Sequence, residues 1–233
     1  MEHLQEFAHN VWLADGPIVR DMGIFFTTRM TIIKLSDGSI WIESPIPVSF
    51  ATLNEISQLG QVRYLLAATP RHVWRLAAWH TLFPGAQCWA SRPTAFTLKK
   101  GALPMAGYLS DHPIDAWSAD FDQLEFKGNP FLSEVLFFHR NSHTVILGDL
   151  IQRNRVLEGR TLTNLMFKLE GAQFPGGGVG LDMKMTFVNR NLARRSLEKL
   201  LSWDFDKLII AHGDCIQSDA KQYVKRVFKW LEK

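Results

Sequence analysis

The sequence predicts an α/β fold with two β-sheets inside and helices outside, and three observations carry that reading. β-rich segments open the chain, strand–helix alternation follows, and that alternation then partly repeats. Residues 134–147 form a hairpin pattern: Glu134-Val-Leu-Phe-Phe-His139 and Thr144-Val-Ile-Leu147 flank the polar turn Arg140-Asn-Ser-His143. Two apolar strands, one ending at Gly148-Asp149 and the other at His212-Gly213, place polar side chains at strand tips, where open α/β sheets build their sites.

Each element has a local reason. Asn10–Ala14 reads as a short strand turned by Asp15-Gly-Pro17, and Thr27–Lys34 as a second. Ser36-Asp-Gly-Ser39 is a strong turn, Ile40–Glu43 returns, and Ser44-Pro-Ile-Pro47 stops the strand because proline offers no ladder donor. Ser49 caps a helix to Leu59, with Phe50, Leu53, Ile56 and Leu59 at helical spacing and Gly60 beyond. Val62–Ala68 is a buried strand, Thr69–His72 its loop, His72–Phe83 a helix and Gln87–Ala90 a strand. Between 91 and 129 the periodicity is weak; a helix near Phe96 and an edge strand at Ala119–Phe126 are expected. Helices follow at 161–170, Asn191–Trp203 and beyond a Ser218 cap, with a strand at Asp206–Ala211. The glycines of Phe174–Gly178 lack the Lys-Ser/Thr of a phosphate loop. One domain over 1–233 is expected, since no linker or low-complexity stretch divides the chain.

Composition narrows the function. The net charge of +3 and the lack of a dense basic run with interleaved aromatics argue against nucleic acid. No apolar run approaches a membrane span, and Met1–Phe7 has no signal-peptide core, so a cytoplasmic protein without membrane partners is the expectation. The two cysteines, Cys88 and Cys215, form no CxxC motif and no disulfide framework. A small-molecule substrate or ligand remains; the oligomeric state is left open.

Asp149 either caps its turn or serves as a functional carboxylate, because a charge at a buried strand tip needs a partner. His72 is either a ligand or a packed loop residue, and Gly213 lets the chain turn tightly enough to present His212. Arg71 and Arg75 either bind an anion or, for Arg75, pair with Asp149. Glu43 is a reserve carboxylate at a neighbouring strand tip. Asp214 reads as a cap, and His80, His139 and His143 as surface or hydrogen-bonded residues.

The order of strand pair, strand–loop–helix with His72, hairpin–Asp149 and strand–His212-Gly213 resembles the metallo-β-lactamase superfamily over nearly the whole chain. Arg29–Trp41, Ser44-Pro45, Leu59-Gly60, Phe83–Ala86, Glu134–His139, Asp149-Leu150, Trp203–Asp206 and His212-Gly213 are similar to an uncharacterised bacterial and plant branch of it. The resemblance implies a four-layer αβ/βα sandwich with metal where the sheets meet. It lays the His-x-His-x-Asp-His motif on Pro70-Arg71-His72-Val73-Trp74-Arg75, where only His72 matches. The ligand expected near Asn129 and Pro130 is missing, Asp149 falls on the metal-bridging carboxylate and His212 on the last histidine. Ser44-Pro45 stands where many members carry an Asp. The expectation is therefore a hydrolase-like protein with a reduced site of His72, Asp149 and His212, holding one zinc or iron ion or none. Its substrate would be a small ester, thioester or phosphoester. The alternatives are an inactive binding module of the same fold and a different site within 91–129.

Overall fold

A computed structural model describes residues 3–94 and 105–232. Seven strands form the first sheet in sequence order: β1 (Gln5–Ala8), β2 (Val11–Asp21), β3 (Ile24–Lys34), β4 (Ile40–Glu43), β5 (Val62–Ala67), β6 (Gln87–Ala90) and β7 (Met105–Tyr108). β1 to β4 pair antiparallel, and β4 to β7 pair parallel. The second sheet runs β11 (Lys207–Ile210), β10 (Thr144–Leu147), β9 (Glu134–His139), β8 (Phe121–Phe126), with β10 and β11 parallel. Helices α1 (Phe50–Leu59) and α2 (Leu76–Leu82) cross within the first half. α3 (Thr161–Leu169), α4 (Leu181–Thr186), α5 (Arg190–Ser202) and α6 (Ala220–Val227) follow β10.

Strand side chains alternate between faces, and that parity divides the interior into three cores. Ile40, Ile42 and Leu65 pack with Ile56 of α1 and with Leu76 and Trp79 of α2. Trp41, Tyr64, Leu66, Val135, Phe137, Ile146 and Ile209 fill the space between the sheets. Leu136, Phe138, Val145, Leu147, Leu208 and Ile210 meet Leu200 of α5 and Val224 of α6. Three cores make four layers, as expected for the sandwich. Trp41 fixes the centre, its ring 4.9 Å from Phe121 and 5.0 Å from Phe137.

Several local expectations need correction. Asp15-Gly-Pro17 does not end a strand: β2 continues to Asp21, with an irregularity between Gly16 and Val19 that absorbs the proline. His72–Phe83 is not one helix but a 3₁₀ turn, His72–Arg75, followed by α2. Phe50 begins α1 yet lies exposed, leaving Thr52 and Ile56 as the buried residues of that helix. Asp219, in the left-handed region at φ 57°, rather than Ser218, precedes α6. β7 lies within a stretch for which only β8 was expected, and the expected helix near Phe96 falls outside the described residues.

The hairpin holds as read, and its His139 supplies a pH-dependent stability term. The ring is 1% exposed, bonds Ser142 Oγ through Nδ1 at 2.8 Å and packs on Phe121. Burial, opposed by Asp120 and aided by Arg140 and His9, pushes it down to about 4. A histidine that protonates more readily unfolded than folded contributes stability above its unfolded value, lost as pH falls toward the folded one. We expect the stability difference between wild type and His139→Asn to shrink by about 2 kcal/mol between pH 7 and pH 5. Urea unfolding at the two pH values measures this, and an unchanged difference would contradict the assignment.

Candidate metal centre

The two sheets meet at the rim where β4, β5, β10 and β11 end and β9 begins. The Val135 N–H donates to the Ala68 carbonyl (2.9 Å) and the Ser44 N–H to the Leu66 carbonyl (2.9 Å), so these strand ends are fixed to one another. Gly148 lets the tip of β10 approach the loop after β5. A Cβ there would collide with the Thr69 methyl group and touch the His72 ring.

His72, Asp149 and His212, far apart in the sequence, come together at this rim. One ligand atom from each lies within 4.8 Å of the others. His72 Nε2 stands 3.4 Å from His212 Nε2 and 3.5 Å from Asp149 Oδ1, and His212 Nε2 stands 3.0 Å from the same oxygen. All three residues are at least nine-tenths buried.

Partners on the far side of each ring set its tautomer. His212 Nδ1 lies 2.7 Å from the Thr27 carbonyl, which can only accept, so Nδ1 carries the proton. Ser44 Oγ donates to the Glu43 carboxylate, and His72 Nδ1 lies 2.5 Å from that hydroxyl, so it donates to it. Ser44 is held at φ 55°, a region costly for a residue with a Cβ, at the position that inserts its hydroxyl between Glu43 and His72. Each ring therefore commits Nδ1 to the protein and turns Nε2 toward the Asp149 carboxylate, a lone pair when the ring is neutral.

With both rings neutral, three acceptors would face one another and repel, so the cluster calls for a cation: a proton on His72, or a metal ion in its place. Burial disfavours charge on His72, but Asp149 and Glu43 outweigh it and raise the group to about 10. Burial likewise opposes ionisation of Asp149, yet the two imidazoles hold it well below the ordinary carboxylate range. Asp149 Oδ2 is buried without a hydrogen-bond partner among the described residues. Tetrahedral bonds of about 2 Å from nitrogen and oxygen give donor separations of about 3.3 Å. The separations of 3.0, 3.4 and 3.5 Å bracket that value. Two imidazoles and a carboxylate form a donor set for zinc or iron. These residues fit a single divalent ion.

Of the two alternatives for Arg75, the salt bridge to Asp149 is not formed: the imidazoles of His72 and His212 take the carboxylate instead. Arg71 pairs with Asp21, at the end of β2. Glu43 bonds Ser44 rather than joining the donor triangle, and Asp214 pairs with Arg155. His80, His139 and His143 bond the Ala86 carbonyl, the Ser142 hydroxyl and the Asp204 carbonyl, away from the site.

Two residues that hold the site were not singled out from sequence. The Glu134 carboxylate, fully buried at the start of β9, accepts the N–H groups of Gly148 (2.8 Å), Asp149 (2.9 Å) and Leu150 (2.8 Å). The Arg29 guanidinium donates to the Ile210 and Gly213 carbonyls at 2.8 and 2.6 Å and to Cys215 Sγ at 3.0 Å, clamping the His212 turn from β3. A charge opening an otherwise apolar strand was the available signal for Glu134.

Comparison with solved structures places the chain in one fold. It superimposes on a metallo-β-lactamase from Hirschia baltica with a TM-score of 0.60 at 14% identity, covering 97% of each chain. A metallo-β-lactamase from Pontibacter korlensis gives 0.62 at 8% identity, covering 100% of both. The metal-soaked Flv1 flavodiiron core from Synechocystis sp. PCC6803 gives 0.63 at 12% identity, covering 99% of this chain and 61% of that one. No curated protein matches the sequence. Among the described residues no helix is long and apolar enough to cross a membrane. The architecture is thus the metallo-β-lactamase fold, and a family model matches residues 10–156, more than half of the chain. The chain belongs to the family described as a domain of unknown function, DUF4336.

Proposed function

We propose that this protein is a mononuclear metal-dependent hydrolase of small esters, thioesters or phosphoesters, its ion held by His72, Asp149 and His212. The observation that carries the reading is the convergence on one point of two Nε2 atoms, whose rings are anchored through Nδ1, and a buried carboxylate with one oxygen unpartnered among the described residues. A bound zinc or iron ion supplies an acidified water and a polarised substrate oxygen. The chain's own residues orient that chemistry. Ser44 and Glu43 hold the His72 ring, the Thr27 carbonyl holds His212, and Glu134 fixes the backbone that carries Asp149. Phe26 packs against the His212 ring at 5.4 Å and against Phe167 at 5.5 Å, bracing His212 on that side.

Metal analysis of protein purified from zinc-supplemented medium tests the reading. We expect about one equivalent in wild type and less than a tenth of that in His212→Ala. Equal trace amounts in both would refute the site. Ser44→Ala keeps the three ligands but loosens His72, and a tenfold or greater loss of zinc affinity is expected by chelator competition.

A second reading, binding without turnover, is favoured by one observation. Trp74 stands where the motif expects an Asp, and the nearby carboxylates Glu43 and Glu134 are already engaged by Ser44 and by three backbone N–H groups. A metal-loaded protein that cleaves no member of an ester, thioester and phosphoester panel would select it.

A further inference from the structure

The two arginines beside His72 have different fates. Arg71 is committed to Asp21 at the end of β2. Arg75 has no hydrogen-bond or ion-pair partner among the described residues, and its Nε is buried without one. Its guanidinium instead lies 4.5 Å from the centre of the Trp74 ring. A cation stacked on indole keeps its in-plane N–H groups available, since the ring engages only the face.

Position and chemistry connect this group to the metal centre. A 3₁₀ turn repeats every three residues, so His72 and Arg75, at the two ends of one such turn, share a face. Buried polar atoms are nearly always satisfied, and those that are not call for an explanation. Eight buried side-chain atoms lack partners among the described residues. Four of them belong to segments that build this rim: Thr27 Oγ1, Thr69 Oγ1, Arg75 Nε and Asp149 Oδ2. The Thr27 carbonyl orients His212, and the Thr69 methyl group packs against Gly148. Half of these unpaired buried atoms thus belong to the segments that carry or orient the three candidate ligands.

We infer that Arg75, held flat by Trp74, receives the anionic group of the substrate, so that the ligand of this site carries a carboxylate or phosphate oxygen pair. This deepens the hydrolase reading and rests on His72, Asp149 and His212 facing substrate. The planar fork of a guanidinium matches two oxygens of one anion, a geometry a single ammonium cannot copy. The neighbouring Arg71, neutralised by Asp21, is left out of the contact.

Calorimetric titration of metal-free protein with inorganic phosphate and, separately, with benzoate tests the assignment, and the two arms tell phosphate from carboxylate. Wild type is expected to bind at least one of them. Arg75→Gln should weaken that binding tenfold or more, Arg75→Lys about threefold, and Arg71→Gln by less than twofold. Should Arg75→Gln fail to fold, the lysine variant decides, because a fork lost with charge kept must still weaken binding. No binding of either anion by wild type, arginine variants that bind like wild type, or an equal loss in Arg71→Gln would overturn the proposal. Zinc content of each protein as purified from zinc-supplemented medium, measured before the metal is stripped for calorimetry, separates the two ideas. Zinc retained with anion binding unmoved by Arg75 leaves the metal site standing, whereas anion binding that depends on Arg75 in a chain that never takes up zinc does the reverse.

Discussion

Gly213→Ala is expected to cost about 4 kcal/mol or more and to lower the melting temperature by about 10 °C. Gly213 sits at φ 105°, where a Cβ is strained, and a Cβ there would run into the carbonyl of Arg153. That carbonyl cannot yield cheaply. It accepts the Asp214 N–H (3.1 Å), while the Arg153 N–H donates to the His212 carbonyl (2.9 Å), so both flanks of Gly213 are zipped to the same strand-like segment. Relief would have to move His212, so metal uptake should fall together with stability. Gly176→Ala is the control: its φ is not in the left-handed region, and the nearest atom to an added Cβ is 3.8 Å away. Thermal unfolding of the two variants measures the difference. A Gly213→Ala protein melting within 2 °C of the control would show that this turn does not hold the site.

Much of this arrangement was legible in the sequence where a residue's type and its neighbours give one answer. Thr144–Leu147 and Leu208–Ile210 are apolar on both faces because they lie between two cores, and so they were recognisable as central strands. Their tips then identified Asp149 and His212. The hairpin turn, the Ser49 cap and the Gly60 stop rest on local chemistry, which neighbours across the fold do not alter. The misreadings have the opposite origin. β2 runs through Asp15-Gly-Pro17 because pairing with β3 outweighs a local turn preference. The first turn after Arg71 tightens to 3₁₀ because it follows the strand–loop junction at which His72 is buried. One of the two readings of Arg75 had it neutralise Asp149; the carboxylate is instead captured by histidines arriving from two other segments, a contact that sequence spacing cannot express. The roles of Glu134 and Arg29 are of the same kind. Each holds backbone groups of a distant turn, and backbone leaves no mark in composition or periodicity.

Glu134 makes that last point quantitative. Its carboxylate lies wholly inside the protein and accepts three consecutive N–H groups, so Glu134→Ala would strand three buried donors at once. A loss of about 3–5 kcal/mol is expected, dominated by the unpaired donors rather than by the vanished charge. Glu134→Gln separates those two contributions. Its amide oxygen can still accept, but its NH₂ must face one or two of the same N–H groups, so a smaller loss of about 2 kcal/mol is expected. Burial and the nearby Asp149 carboxylate raise Glu134 to about 8, against the downward pull of the three N–H groups, so the comparison of charged carboxylate with neutral amide is made at pH 9. If like-charge repulsion dominated, the neutral glutamine would be the more stable protein. If the donors dominate, the order is wild type, then Gln, then Ala, and zinc affinity follows the same order because Asp149 rides on the loop that Glu134 holds. Urea unfolding with parallel zinc titration of the three proteins reads both quantities. A glutamine variant equal to or above wild type in stability would show that the carboxylate is tolerated in the core rather than required there.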